Sequence, residues 1–163
     1  MWVESNNSAV EQGIPMTQFA FELLAWLVLV QDRQVISAKD LDRMKPASAK
    51  IRLLFSSLQI PATIPSIKEK YSLCLDEINK MLITNGKLLD CVGCITEIRN
   101  RITHPQKKDN SKTILKYSPE ERIEACRLSI CYLELCLLRL FGYEGMYRSR
   151  LYKSQGNNLG LTH

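Results

Sequence analysis

The sequence predicts an all-α fold, a four-helix bundle with one or two additional short helices, and three observations predict it. Apolar residues recur at three- and four-residue steps along four long stretches, the period of one helix face. Start signals (Pro, Ser or Ser-Pro) precede these stretches, and stop signals (Pro, Asn-Gly or Gly) follow them. Finally, 163 residues, 45% of them hydrophobic, suffice for one ordinary core, and 24% charged residues with 7 Gly and 6 Pro argue against a disordered or linker-rich chain.

Residues 1–13 are polar and aperiodic and are expected to be a flexible segment before a helical domain over 14–153; residues 154–163 are expected to be a flexible tail. Pro15 can open the first helix, because the N–H it lacks would find no partner in a first turn. FAFELLAWLVLVQDR follows, apolar almost all round, as expected of a central helix surrounded by others. SAKDLDRM reads as a short helix capped by Ser37, and Pro46 starts another through ASAKIRLLFSSLQ that Pro61 ends.

From Pro65 to about Ile83, the spacing of Ile67, Tyr71, Cys74, Leu75, Ile78 and Leu82 is helical, with Asn85-Gly86 as its stop. Leu88, Val92, Ile95, Ile98 and Ile102 form the stripe of the next helix, which closes near His104-Pro105. Residues 105–117 are a polar, lysine-rich loop in which TILKY can be extended, and the loop is long enough to suggest a function of its own. Ser118-Pro119-Glu120-Glu121 is a capping-box start with Pro at the first helical position. The last helix runs to Gly142. Its apolar positions cover more than one face, enough for its own core and a second subunit.

The longest apolar stretch, Phe19 to Val30, is interrupted by Glu22 and falls short of the ~18 to 20 residues of a membrane span. MWVESNNSAVEQG lacks the basic and apolar blocks of a secretory signal. A cytoplasmic location without membrane contact is therefore expected. In that reducing compartment Cys74, Cys91, Cys94, Cys126, Cys131 and Cys136 read as buried free thiols, not disulfides. Cys91-Val-Gly-Cys94 has half the spacing of a zinc site, but no second pair accompanies it. No glycine-rich phosphate loop, HExxH or GxSxG is present, so neither a metal nor a cofactor is expected.

The net charge is +5, and the segment from Arg99 to Lys116 alone carries six basic residues against Asp109. Arg101, Lys107, Lys108 and Lys112 are therefore candidate RNA contacts, although a solvated basic loop would look the same. Arg148, Arg150 and Lys153 alternate with Tyr143, Tyr147 and Tyr152, a pattern that suits single-stranded RNA or packing on the bundle.

Histidine singles out the candidate catalytic centre, because the chain has two and His163 lies in the tail. His104 ends the helix that carries Arg99 and Asn100. On an ideal helix Arg99 lies about 140° around and about 7.5 Å along the axis from His104, while Asn100 shares its face. An imidazole with a reference pKa of about 6.5 can take the proton of a 2′-hydroxyl or return one to a leaving 5′-oxygen. A guanidinium can grip phosphate oxygens and stabilise transition-state charge, and Asn100 can orient the ring or bond the phosphate. One histidine cannot do both proton jobs at once, so a homodimer that brings two Arg and two His to one composite site is expected. Glu22, alone among apolar residues, is proposed to hold Arg99 in orientation, with Glu134 as a competitor for that role; a Glu22 that faces solvent or pairs elsewhere fits the sequence equally well.

The string Arg99-Asn100-Arg101-Ile102-Thr103-His104 resembles the R-x4-6-H signature of the HEPN superfamily, including the polar residue after the arginine. The wider wording, EIRNRITHPQ and the last helix YLELCLLRLFGYEGMYRSRL, is most similar to the Apea-like HEPN domains of bacterial anti-phage proteins. This resemblance covers most of the chain. It implies an HEPN-like bundle and a metal-independent, dimeric endoribonuclease with Arg99, Asn100 and His104 as catalytic residues. It also implies a toxin or abortive-infection role against phage. Domains of that type often end longer proteins, so an N-terminal sensor or an inhibitor protein outside this chain is an expected partner. Some toxin members carry a tyrosine two residues after the histidine, where a partner enzyme modifies them; this chain has Gln106. Two other readings remain, a non-catalytic module of the same type that binds RNA or nucleotide, and a helical dimerisation domain.

Overall fold

The computed structural model describes residues 2–63, 83–84, 87–88, 90–103 and 118–147; of these, 2–8, 83–84, 87–88 and 101 are described by backbone alone. The fold is all-α, as expected. Helix α1 (Trp2–Trp26) continues through a π-helical stretch, Leu27–Asp32. It is followed by α2 (Ala38–Arg43) and α3 (Ala47–Ser57). Strands β1 (Ile83–Thr84) and β2 (Lys87–Leu88) pair antiparallel, Ile83 opposite Leu88 and Thr84 opposite Lys87. Helices α4 (Cys91–Thr103) and α5 (Pro119–Leu140) complete the described bundle, in which α1 packs on α3, α4 and α5.

Sequence chemistry explains most of the ends. Ser37 Oγ accepts the Asp40 N–H at 3.1 Å, and Ser118 closes its capping box with Glu121 at 3.2 and 2.6 Å. Helix α5 ends on a left-handed Gly142, φ 63°. The Tyr143 N–H then bonds Leu138 O at 2.9 Å, and the Gly142 N–H bonds Arg139 O at 3.3 Å. That paired closure satisfies carbonyls the last turn would otherwise leave open. Helix α3 ends the same way without a glycine: Gln59 takes φ 56°, and the Ile60 N–H bonds Phe55 O at 2.8 Å. Ile60 and Phe55 are both buried, the apolar contact that accompanies this turn.

Three expectations need correction. Pro15 does not open α1, which begins at Trp2, so the stretch expected to lack structure is helical from there and Pro15 lies inside the helix. Tertiary contact outweighs the missing N–H: Glu11 pairs with the buried Arg122 of α5, Val10 packs on the core, and a Cβ on Gly13 would stand 3.0 Å from Cys126 Sγ. Leu88 belongs to β2, not to the stripe of α4, because Asp90 caps that helix at Cys91. Third, α1 is not surrounded. Ile14, Phe21, Ala25, Val28 and Leu29 are buried, yet Met16, Phe19, Leu23, Trp26 and Leu27 are exposed on the other side. The expected helix from Pro65 onward falls outside the described residues except for Ile83, which lies in β1.

The core gathers around aromatic rings from three helices. Phe55 stacks on Tyr132 at 5.3 Å and meets Phe21 edge-on at 5.6 Å. Truncating any of these rings removes transfer energy and leaves a cavity, a loss of about 3 to 5 kcal/mol for Phe21→Ala. Ala9–Asp32 is long and apolar enough to cross a membrane by composition, but its inner face is committed to this core. Cys91, Cys94, Cys126 and Cys136 are buried free thiols, as expected; Cys131 is buried too, within reach of the Tyr147 hydroxyl, and Cys74 lies outside the described residues.

Candidate functional site

The site is built on the second half of α4. Val92, Ile95 and Ile98 turn inward and are buried, which fixes the rotation of the helix and leaves Arg99 half-buried and Asn100 exposed on its flank. Arg99 Nη1 donates to Asn100 Oδ1 at 3.1 Å. One turn on, the Thr103 hydroxyl donates to the Arg99 carbonyl at 3.0 Å.

Arg99 is short of partners among the described residues. Its Nε is buried without a hydrogen-bond partner, and among the described residues its guanidinium makes no ion pair with a carboxylate. An orphaned buried donor costs about 1 to 3 kcal/mol, more if charged, so a folded chain that tolerates one invites a reason. An oxyanion that reached the Nη groups would pair with the charge of this guanidinium, although Nε itself is closed to solvent.

The expected support from Glu22 is absent. Its carboxylate accepts from the Gln18 side-chain amide at 3.0 Å, one turn away on α1, and not from Arg99. Gln18 is itself buried with an unpartnered Oε1, so the local amide, fixed by packing, supplies the neighbour that burial demands of Glu22. Glu134 accepts from the Tyr147 hydroxyl. This bond ties Tyr147 to α5 and favours packing over RNA stacking for that ring, while Tyr143 stays half-exposed and donates to Met146 O at 3.0 Å. His104, Lys107, Lys108 and Lys112 lie outside the described residues, as does the side chain of Arg101. Arg99 and Asn100 are therefore the pair that the described structure brings together.

A family model for the YopA C-terminal domain matches residues 1–159. The chain belongs to the YopA C-terminal domain family. It is 30% identical over 153 residues to the SPbeta prophage-derived uncharacterized protein YopA of Bacillus subtilis (strain 168). That alignment covers 90% of this chain and 29% of the relative, so the chain spans less than a third of that protein's length. No solved structure matches.

In this YopA C-terminal domain the helix that carries the site is anchored by residues that sequence reasoning passed over. Asp90 Oδ1 accepts the Gly93 N–H at 2.6 Å and so caps α4. Arg52 of α3 grips the same carboxylate, Nε to Oδ2 at 2.7 Å and Nη2 to Oδ1 at 2.8 Å. Burial works against the charge on Asp90, but the Arg52 fork and the Gly93 N–H outweigh it and hold the carboxyl below its ordinary value. An Asp directly before an apolar stripe was a legible cap signal; its pairing with a residue 38 positions away was not. The Cys91-Val-Gly-Cys94 pair sits just inside this cap, and burial pushes both thiols up to about 12. They are packing residues in the folded domain. Among the described residues no group of three or more His, Cys, Asp or Glu side chains is placed to hold a metal ion.

Proposed function

We propose that this domain is a metal-independent endoribonuclease of HEPN type that cleaves RNA by 2′-hydroxyl attack at a composite site of two protomers. The observation that carries the reading is the Arg99 guanidinium, unpaired with any described carboxylate and held beside Asn100, with His104 following Thr103, the last residue of α4. Arg99 would clamp the scissile phosphate and offset the charge that develops on its oxygens. One imidazole takes the 2′-hydroxyl proton as the 2′-oxygen bonds phosphorus. The second protonates the 5′-oxygen as its bond to phosphorus breaks. The products are a 2′,3′-cyclic phosphate and a free 5′-hydroxyl, and the two imidazoles exchange roles before the next turnover.

Arg101, Lys107, Lys108 and Lys112 would hold the flanking backbone. The relative's prophage origin supports a toxin or anti-phage role in the cytoplasm, with a sensor or inhibitor supplied by sequence beyond this domain. The test is cleavage of single-stranded RNA in EDTA. The reading expects cyclic-phosphate ends from the wild type and none from Arg99→Ala or His104→Ala at unchanged helicity. Retained RNA binding without product would instead leave a non-catalytic binding module.

A further inference from the structure

We propose that the outer face of α1 is a homodimer interface, occupied by the same face of a second copy of this chain. The exposed residues Met16, Phe19, Leu23 and Trp26 fall at alternating three- and four-residue steps, the a and d positions of a heptad seam, and the half-buried Val30 continues it. Phe19 is 67% exposed, Met16 65% and Leu23 50%, and Leu27 broadens the stripe. Exposed Gln12 bounds it at one end and exposed Gln31 and Asp32 at the other, so the patch is apolar with a polar rim.

Its size fits a second copy. These side chains leave on the order of 500 Å² of apolar surface open, at the upper end for a monomer. A standard interface buries about 800 Å² per partner, so the stripe alone supplies more than half of one protomer's share. A two-fold axis through this helix face matches the stripe to itself, and no charged side chain lies within it to oppose that pairing.

Lipid is the weaker occupant on two grounds. The inner face of the same helix holds Ile14, Phe21, Ala25, Val28 and Leu29 in the core, so α1 cannot enter a bilayer without dismantling the bundle. From Ala9 to Asp32 it also carries Glu11, Glu22 and Asp32 and neither Lys nor Arg, the reverse of the basic flank that draws a helix to anionic headgroups.

This inference rests on α1 alone and does not depend on the nuclease reading. The test is sedimentation equilibrium of the full chain as wild type, Phe19→Glu and Leu23→Glu, with circular dichroism of each. We expect a wild-type dimer and a dissociation constant raised ~100-fold or more in either variant, at unchanged helicity. A wild type that stays monomeric at all concentrations overturns the proposal, as does a dimer that both variants leave intact. So does loss of helicity in both variants, which would mean the chain covers this face itself. Flotation of a monomeric wild type with phosphatidylcholine–phosphatidylglycerol vesicles would assign the face to lipid and also overturn it. RNA cleavage is scored separately: a dimer without cleavage removes the nuclease reading and leaves this interface, whereas cleavage by a dimer that both variants leave intact keeps the nuclease reading and removes this interface.

Discussion

Arg52 and Asp90 join two helices through one carboxylate: the guanidinium spans both oxygens at 2.7 and 2.8 Å, while one of them also receives the Gly93 N–H. Three donors converge where α4 begins. The pair therefore fixes, from α3, the start of the helix that presents Arg99 two turns later.

Asp90→Ala should remove both the cap and the acceptor of Arg52, at a loss of about 1 to 2 kcal/mol in urea denaturation at neutral pH. The pH dependence has a definite sign. Because the folded state lowers the Asp90 pKa, its contribution is complete above the unfolded value near ~4 and disappears as pH falls through the folded value. Wild type and Asp90→Ala should thus differ at pH 7 and converge in acid. A gap that persists well below pH 3 would assign the loss to packing.

Two of the left-handed helix ends, at Gly142 and Gln59, predict opposite responses. Gly142→Ala meets nothing within 4 Å of its new Cβ, so its loss of ~1 kcal/mol should come from the backbone alone. Gln59→Gly should stabilise the domain by up to ~1 kcal/mol, relief of strain less the extra freedom of the unfolded chain. Thermal midpoints that move in opposite directions would bear this out.

Cys91, Cys94 and Cys136 should not react with a thiol reagent at pH 8 in the native state. Burial holds each at about 12, so almost no thiolate forms, and each side chain is closed to solvent. Their modification should follow the rate of unfolding. A rapid native phase that mass spectrometry maps to Cys91 or Cys94 would contradict the packing role.

Arg99→Gln should leave stability unchanged or raise it by about 1 kcal/mol, because no described carboxylate depends on that charge and the unpartnered buried Nε is removed. RNA affinity should fall, and the slope of log affinity against log salt should shrink by about 1, as when a single phosphate is no longer neutralised. An unchanged slope would place the nucleic acid elsewhere.

The sequence announced helices through local chemistry, and local chemistry was enough where it acted alone. Ser37, Ser118 with Glu121, and Gly142 each carry a backbone bond that any neighbouring fold would permit, and all three stand where expected. Pro15 misled because the Glu11–Arg122 pair and the close approach at Gly13 extend α1 upstream through contacts with a helix over a hundred residues away. Glu22 misled for the same reason in reverse: a partner was sought far off, and Gln18 supplied it from the next turn. Arg99 and Asn100 were legible as neighbours on one helix, whereas the lack of a carboxylate partner for Arg99 among the described residues could be seen only in three dimensions. The apolar girth of α1 was also legible, but periodicity could not say that its outer half faces solvent.

In the proposed mechanism one scissile phosphate needs an imidazole from each of two protomers. Wild type co-produced with increasing shares of His104→Ala puts that requirement to the test, with RNA cleavage measured at constant total protein. If both imidazoles act on one phosphate, activity falls as the square of the wild-type fraction. A fall in simple proportion, or full activity in the pure variant, would rule out the shared site.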